Sequence, residues 1–132
     1  MIVTVDTHIV IWNALQAELI SSAAEKALQN ANENGSIIFP DIILWEIAML
    51  VKKKRLIIEA SYKEFINLLL ASNNYQLQEI TPEIAELSTE LPGEINLDPA
   101  DRIIAATSII LNAPLITADK NLLKAKKIKT IW

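Results

Sequence analysis

Five short apolar runs, spaced by longer helical patterns, constrain this 132-residue chain more than any other feature. The runs are Ile2-Val3-Thr4-Val5, Ile37-Ile38-Phe39, residues 76–80, Leu115-Ile116-Thr117 and residues 128–131. All but the weaker third run are rich in β-branched residues, and the first, second and fourth lack polar alternation. Such strands suit a sheet that is buried on both faces. The gaps read as helices that follow Asp6, cover residues 21–32, 41–55 and 61–72, start at Thr81-Pro82 and at Asp98-Pro99, and follow Asp119. Thr81 and Asp98 are N-cap residues, each with proline at the first helical position. Ser21 or Ser22 caps the second helix, with Glu25 in its first turn. Strands that alternate with helices predict an α/β fold. We expect a three-layer α/β/α sandwich around a mainly parallel sheet of about five strands.

Composition narrows the chemistry. Apolar residues make up 52% and charged residues 21%, which argues against disorder. One domain over residues 1–132 is the expectation at this length. There is no cysteine, so disulfide scaffolds, zinc-thiolate sites, iron–sulfur clusters and thiol catalysis all drop out. The longest apolar stretch, residues 37–51, is interrupted by Asp41 and Glu46. It falls short of the ~20 residues that span a bilayer. The first residues show no basic leader or cleavage pattern, so a soluble cytoplasmic protein with no membrane association is expected.

The net charge of −4 excludes a protein that holds nucleic acid by bulk basicity. Basic residues are nonetheless clustered. Lys52, Lys53, Lys54 and Arg55 run together, and Lys120, Lys124, Lys126, Lys127 and Lys129 crowd the C-terminus. Alone, these read as a solvated helix end and a solubilising tail.

The acids carry more information. Asp6 directly follows the first strand, and Asp119 lies just past the fourth. Ligands of open parallel sheets gather beyond the carboxyl ends of the strands. Glu46 falls within a helix, with Ile42, Met49 and Leu50 as its helical neighbours. Asp101 lies in a first helical turn beside Ile104 and Ala105. A carboxylate on an apolar stripe is costly unless it is paired, hydrogen-bonded or metal-bound. Each acid also has a structural explanation. Asp6, Asp98 and Asp119 precede helices as caps, Asp101 complements a helix dipole, and Glu46 pairs with a buried base. Taken together they point elsewhere. Carboxylates ~4 Å apart repel by about 4 kcal/mol at an effective dielectric near 20, and a cation relieves that. Oxygen ligands without His or Cys suit Mg²⁺ or Mn²⁺. Setting aside Asp6, Glu46, Asp101 and Asp119 leaves the rest of the chain neutral.

Four blocks in order resemble one family. Val5-Asp6-Thr7-His8 with Ile11-Trp12 is similar to the opening of a PIN domain. Leu44-Trp45-Glu46-Ile47-Ala48 resembles its second motif. Leu97-Asp98-Pro99-Ala100-Asp101-Arg102 with Ile103-Ile104-Ala105-Ala106 resembles its third. Leu115-Ile116-Thr117-Ala118-Asp119 resembles its fourth, and Trp132 closes the chain as in many members. The ordered set resembles the VapC-type toxins of bacterial type II toxin–antitoxin pairs.

The resemblance implies a Mg²⁺- or Mn²⁺-dependent endoribonuclease acting on RNA, dimeric and silenced by a cognate antitoxin. Asp6, Glu46, Asp101 and Asp119 would form its acidic catalytic and metal-binding quartet. Asp6, Asp119 and Asp101 would be direct ligands, and Glu46 a water-mediated ligand or general base. Thr117 matches the family's hydroxyl residue beside the last acid, where it would bond Asp119 or a metal-bound water. Asp98 would be a cap first and an outer metal partner second. Members often carry a small polar residue three positions before the Glu; here Ile43 stands there. The run at 52–55 would lie along RNA phosphates. His8 is expected to pack or hydrogen-bond at its helix start. Trp12 and Trp45 are expected in the core or a dimer interface. Arg102 either pairs with Asp98 or reaches RNA. Two other readings compete. One is a catalytically silent PIN-like module that binds RNA or a protein. The other is a phosphotransfer domain with Asp6 as nucleophile, which His8 weakens by occupying the place of a second Asp.

Overall fold

A computed structural model describes all residues, Met1–Trp132. In chain order the elements are β1 (Ile2–Val5), α1 (Thr7–Leu15), a 3₁₀ turn (Ala17–Leu19), α2 (Ser22–Asn34), β2 (Ser36–Pro40), α3 (Ile42–Lys52), α4 (Tyr62–Ser72), β3 (Tyr75–Gln78), α5 (Pro82–Glu90), α6 (Pro99–Leu111), β4 (Leu115–Ile116), α7 (Lys120–Lys124) and β5 (Thr130–Ile131). The sheet order is β3-β2-β1-β4-β5, and every neighbouring pair is parallel.

This order follows from the sequence pattern. Val3, Thr4 and Val5 are all buried, although successive strand residues point to opposite faces. Both faces of β1 are therefore covered, as its unbroken apolar run predicts. The chain builds β1, β2 and β3 outward on one side. It then returns through α5 and α6 to place β4 on the other side of β1. The carboxyl ends of β1 and β4 thus flank the point where strand order reverses, where open α/β sheets form their ligand crevice.

A core cluster of 25 buried residues joins the sheet to the helices, with Phe39, Ile9, Ile37, Ile104 and Leu115 inaccessible to solvent. Burying one such side chain stabilises the fold by about 1.5–3 kcal/mol. Ile43 and Ile47 are both fully buried, which fixes the rotation of α3. Trp45 lies two residues from each, on the opposite side of the helix, and is 58% exposed. The sequence placed it in a core or interface; it is not in the core. Trp12 is half-buried, packs on the core and tilts against Trp132 with ring centroids 6.1 Å apart.

Local signals set the element ends. Ser21, not Ser22, caps α2 by accepting from the Ala24 N–H at 3.2 Å. Thr81 caps α5 through the Ile84 N–H at 3.2 Å. α3 stops at Lys52, short of the expected residue 55, because Lys54 takes a left-handed backbone at φ 59°. Gly35 is required by contact rather than by φ. A Cβ there would lie 1.8 Å from the Met1 carbonyl oxygen. No helix is long and apolar enough to cross a membrane.

Candidate active site

The site is built at the carboxyl edge of the sheet. Asp6 directly follows β1 and caps α1, accepting from the Ile9 N–H at 3.0 Å through Oδ1. Its Oδ2 accepts from the Thr117 hydroxyl, delivered by the end of β4. Asp6 is the one charged residue in the buried core, at 7% exposure. Burial pushes its carboxyl above the ordinary range, while the bonds from Thr117 and Ile9 pull it back.

Glu46 enters from the flank of α3, beside the buried Ile47. It is half-buried, and its Oε1 accepts from the Thr7 hydroxyl of α1. Burial raises its pKa, the Thr7 bond opposes this, and the charges of Asp98 and Asp6 add to the rise. Ile43 is buried in the core, so Thr7 supplies the hydroxyl that α3 lacks. Thr7 was legible in the sequence only as part of a motif, because its partner is 39 positions away.

Asp101 lies in the first turn of α6, and its pKa is pushed up to about 7. Burial is the largest cause, followed by the charges of Asp98, Glu46, Asp119 and Asp6. Asp119 caps α7, accepting from the Asn121 and Leu122 N–H groups at 2.9 and 3.0 Å through Oδ1. Asp98 is exposed and caps α6 through the Ala100 N–H at 2.8 Å. It adds its charge to the cluster from outside.

Thr117 hydrogen-bonds Asp119 as expected, through the backbone, and also reaches Asp6. Its hydroxyl donates to Asp6, not to Asp119; toward Asp119 it accepts, from the backbone N–H at 3.1 Å. One side chain thus ties the ends of β1 and β4 together. Arg102 does not pair with Asp98. Its guanidinium donates to the carbonyls of Ser88 (2.9 Å), Pro92 (3.2 Å), Asn96 (2.9 Å) and Leu91. His8 is exposed and stacks obliquely on Trp12, with centroids 5.9 Å apart, as a packing role predicts.

Sequence reasoning missed Asn96. Its Nδ2 donates to Asp101 Oδ2 at 3.2 Å and to Asp119 Oδ2 at 3.1 Å. Asn121 Nδ2 donates to Asn96 Oδ1 at 2.8 Å. A neutral amide in a loop carries no periodicity and no charge, so only the fold reveals it. A second wall is apolar: Trp45, Met49 and Pro99 line a 550 Å³ cleft that also takes in Glu46 and Asp98.

No three of these acids converge to ion-ligand distance as placed. Donor type and charge nevertheless fit a hard divalent cation. Every ligand atom is an oxygen, and three carboxyls are raised by burial and by one another. A bound cation reverses that penalty.

Comparison with known proteins agrees with this architecture. Ribonuclease VapC22 of Mycobacterium tuberculosis is 28% identical over 132 residues, with 98% of each chain covered. VapBC2 from Rickettsia felis, solved with a DNA fragment of its promoter, superposes with a TM-score of 0.73 at 18% identity, covering 98% of this chain and 97% of that one. A toxin–antitoxin complex from Klebsiella pneumoniae gives a TM-score of 0.66 at 23% identity, covering 97% and 96%. At these identities the solved structures establish the fold. The PIN domain family model matches residues 3–128, nearly the whole length, and the chain belongs to that family.

Proposed function

We propose that this protein is a Mg²⁺- or Mn²⁺-dependent endoribonuclease, the toxin of a toxin–antitoxin pair. In this reading it acts as a homodimer in the cytoplasm and is restrained by a cognate antitoxin. The observation that carries the proposal is the set of carboxylates gathered where the strand order reverses. The relative named a ribonuclease and the toxin–antitoxin complexes that share the fold support it.

Asp6, Asp101 and Asp119 would hold the ion, with Glu46 at its edge. The chemistry such an ion supplies when bound is polarisation of the phosphate and acidification of a water. The chain's own residues do the rest. Thr117 and the Ile9 N–H engage both oxygens of Asp6 and fix its plane. Thr7 holds Glu46, and the raised pKa of this carboxylate makes it a stronger base toward a water proton than an ordinary Glu. Asn96 ties Asp101 to Asp119 without adding charge.

The test is cleavage of total cellular RNA by the purified chain with Mg²⁺, Mn²⁺ or EDTA, beside Asp6→Asn. Cut fragments should appear only with an ion and vanish in the variant, while its circular dichroism matches wild type. A folded, antitoxin-free wild type that cuts nothing with either ion would leave the silent binding module as the better reading.

A further inference from the structure

A second cleft, of 580 Å³, opens beside the acidic cluster under α7 and the turn after it. Lys124, Lys126 and Lys127 line it, and all three are exposed. Glu94 also lines it, so positive charge is in excess. Pro92, Ile95 and Ala125 give it apolar surface. Asn121 belongs to the same lining and donates to Asn96, the amide that bridges Asp101 and Asp119. Two linked amides therefore join the lysine cleft to the carboxylates as one continuous surface.

We propose that this cleft is the track of single-stranded RNA next to the acidic cluster, with the lysines on its phosphates and the apolar surface against ribose or base. The inference rests on the ribonuclease reading above and says where the substrate lies. The chain carries a net charge of −4, so a polyanion must be drawn in by local charge rather than by the whole molecule. Lysines on flexible stems suit phosphate contacts that hold a strand without reading its sequence. The competing basic run at 52–55 lies at the end of α3 away from the strand carboxyl ends, since α3 starts just after β2 and runs to Lys52. It terminates α3, with Lys54 left-handed and the Arg55 and Leu56 N–H groups both donating to the Leu50 carbonyl, at 2.9 and 3.2 Å. Lys52 also stands about 9 Å along the helix axis from Glu46, whereas the lysine cleft adjoins the carboxylates through paired side chains.

The test compares two full-length triple variants with equal change of charge. One carries Lys124→Gln, Lys126→Gln and Lys127→Gln; the other carries Lys52→Gln, Lys53→Gln and Lys54→Gln. Binding of a labelled random-sequence single-stranded RNA pool is measured in EDTA across a salt series. KM for RNA cleavage is measured in Mn²⁺. Each phosphate contact on a single strand adds about 0.7 to the steepness of log K against log salt, so the cleft variant should flatten that slope by about 2. Its KM should rise with kcat unchanged, while the 52–54 variant matches wild type in both. An unchanged slope and KM in the cleft variant, or equal losses in both variants, would overturn the track. In that case, ion-dependent cutting by wild type would leave the ribonuclease reading standing. A wild type that neither binds nor cuts RNA would overturn both.

Discussion

Two threonines orient two acids, and the one at Asp6 is under the greater constraint. A carboxylate withdrawn from water must have its oxygens satisfied. Asp6 Oδ1 has the Ile9 N–H, and Oδ2 has only Thr117. Thr117→Val keeps the shape and removes the donor. The buried oxygen is then left unpartnered, which costs about 1–3 kcal/mol in urea unfolding. The loss also pushes the Asp6 pKa further up. With Asp6 as a metal ligand, as proposed, a partner that orients it is worth about 10–100-fold in activity, so cleavage should fall by that factor. Thr117→Ser should retain both stability and rate. Wild-type rates in Thr117→Val would remove the hydroxyl from the machinery. At this scale the sequence was informative wherever the chemistry is local. Asp98 and Asp119 cap helices through N–H groups two or three residues on, and such signals are short-range. Asn96 was invisible because one of its two acids is 23 positions away and its side chain bears no charge.

Among the elements, the segment at 91–97 depends most on one residue outside it. Pro92-Gly93 marked a loop in the sequence, but not what holds it. Arg102, in the second turn of α6, supplies that hold by donating to four carbonyls at the end of α5 and along the loop. The Asn96 carbonyl is one of the four, so the clamp also places the amide that touches Asp101 and Asp119. Lysine keeps the charge but loses the planar fan of donors. Arg102→Lys should cost about 1.5–3 kcal/mol, the range for hydrogen bonds to a charged group. Hydrogen exchange should show protection falling at 91–97 first, with β1 and β2 unaffected. Uniform loss of protection would mean that Arg102 supports the whole fold rather than the loop. The same scale shows why some element ends were misread. Residues 128–131 read as a strand, yet the Ile128 N–H turns back to the Ala125 carbonyl at 3.4 Å and β5 is reduced to Thr130–Ile131. The 3₁₀ turn at Ala17–Leu19 is too short for any hydrophobic period to announce it. β1, by contrast, has the bounds its apolar run indicated, because Val3 to Val5 are all buried and Asp6 next turns the chain into the cap of α1.

On the scale of the whole molecule, the fold gathers negative charge at one edge of the sheet, and this sets how stability responds to pH. The Asp101 carboxyl sits at about 7 in the folded chain against 3.8 for an ordinary Asp, and Asp6 and Glu46 are shifted in the same direction. Between those two values the native state holds protons that the unfolded chain has released. Raising the pH through this window therefore favours unfolding. The contribution of Asp101 is fully present below its unfolded pKa and gone above its folded one. In EDTA, the thermal midpoint should fall as pH climbs from about 5 to about 7.5. Asp101→Asn should flatten that fall, because the amide neither titrates nor repels its neighbours. A divalent ion held there as proposed would invert the balance, since it would bind the ionised cluster of the folded state and compete with protons for it. Adding Mg²⁺ or Mn²⁺ should thus raise the midpoint more at the upper end of the window than at the lower. The gain should shrink in Asp101→Asn at both ends. A wild-type midpoint that is flat or rises with pH in EDTA would mean that the carboxylates do not strain one another in the free protein. The case for a cation at this edge of the sheet would then lose its energetic basis.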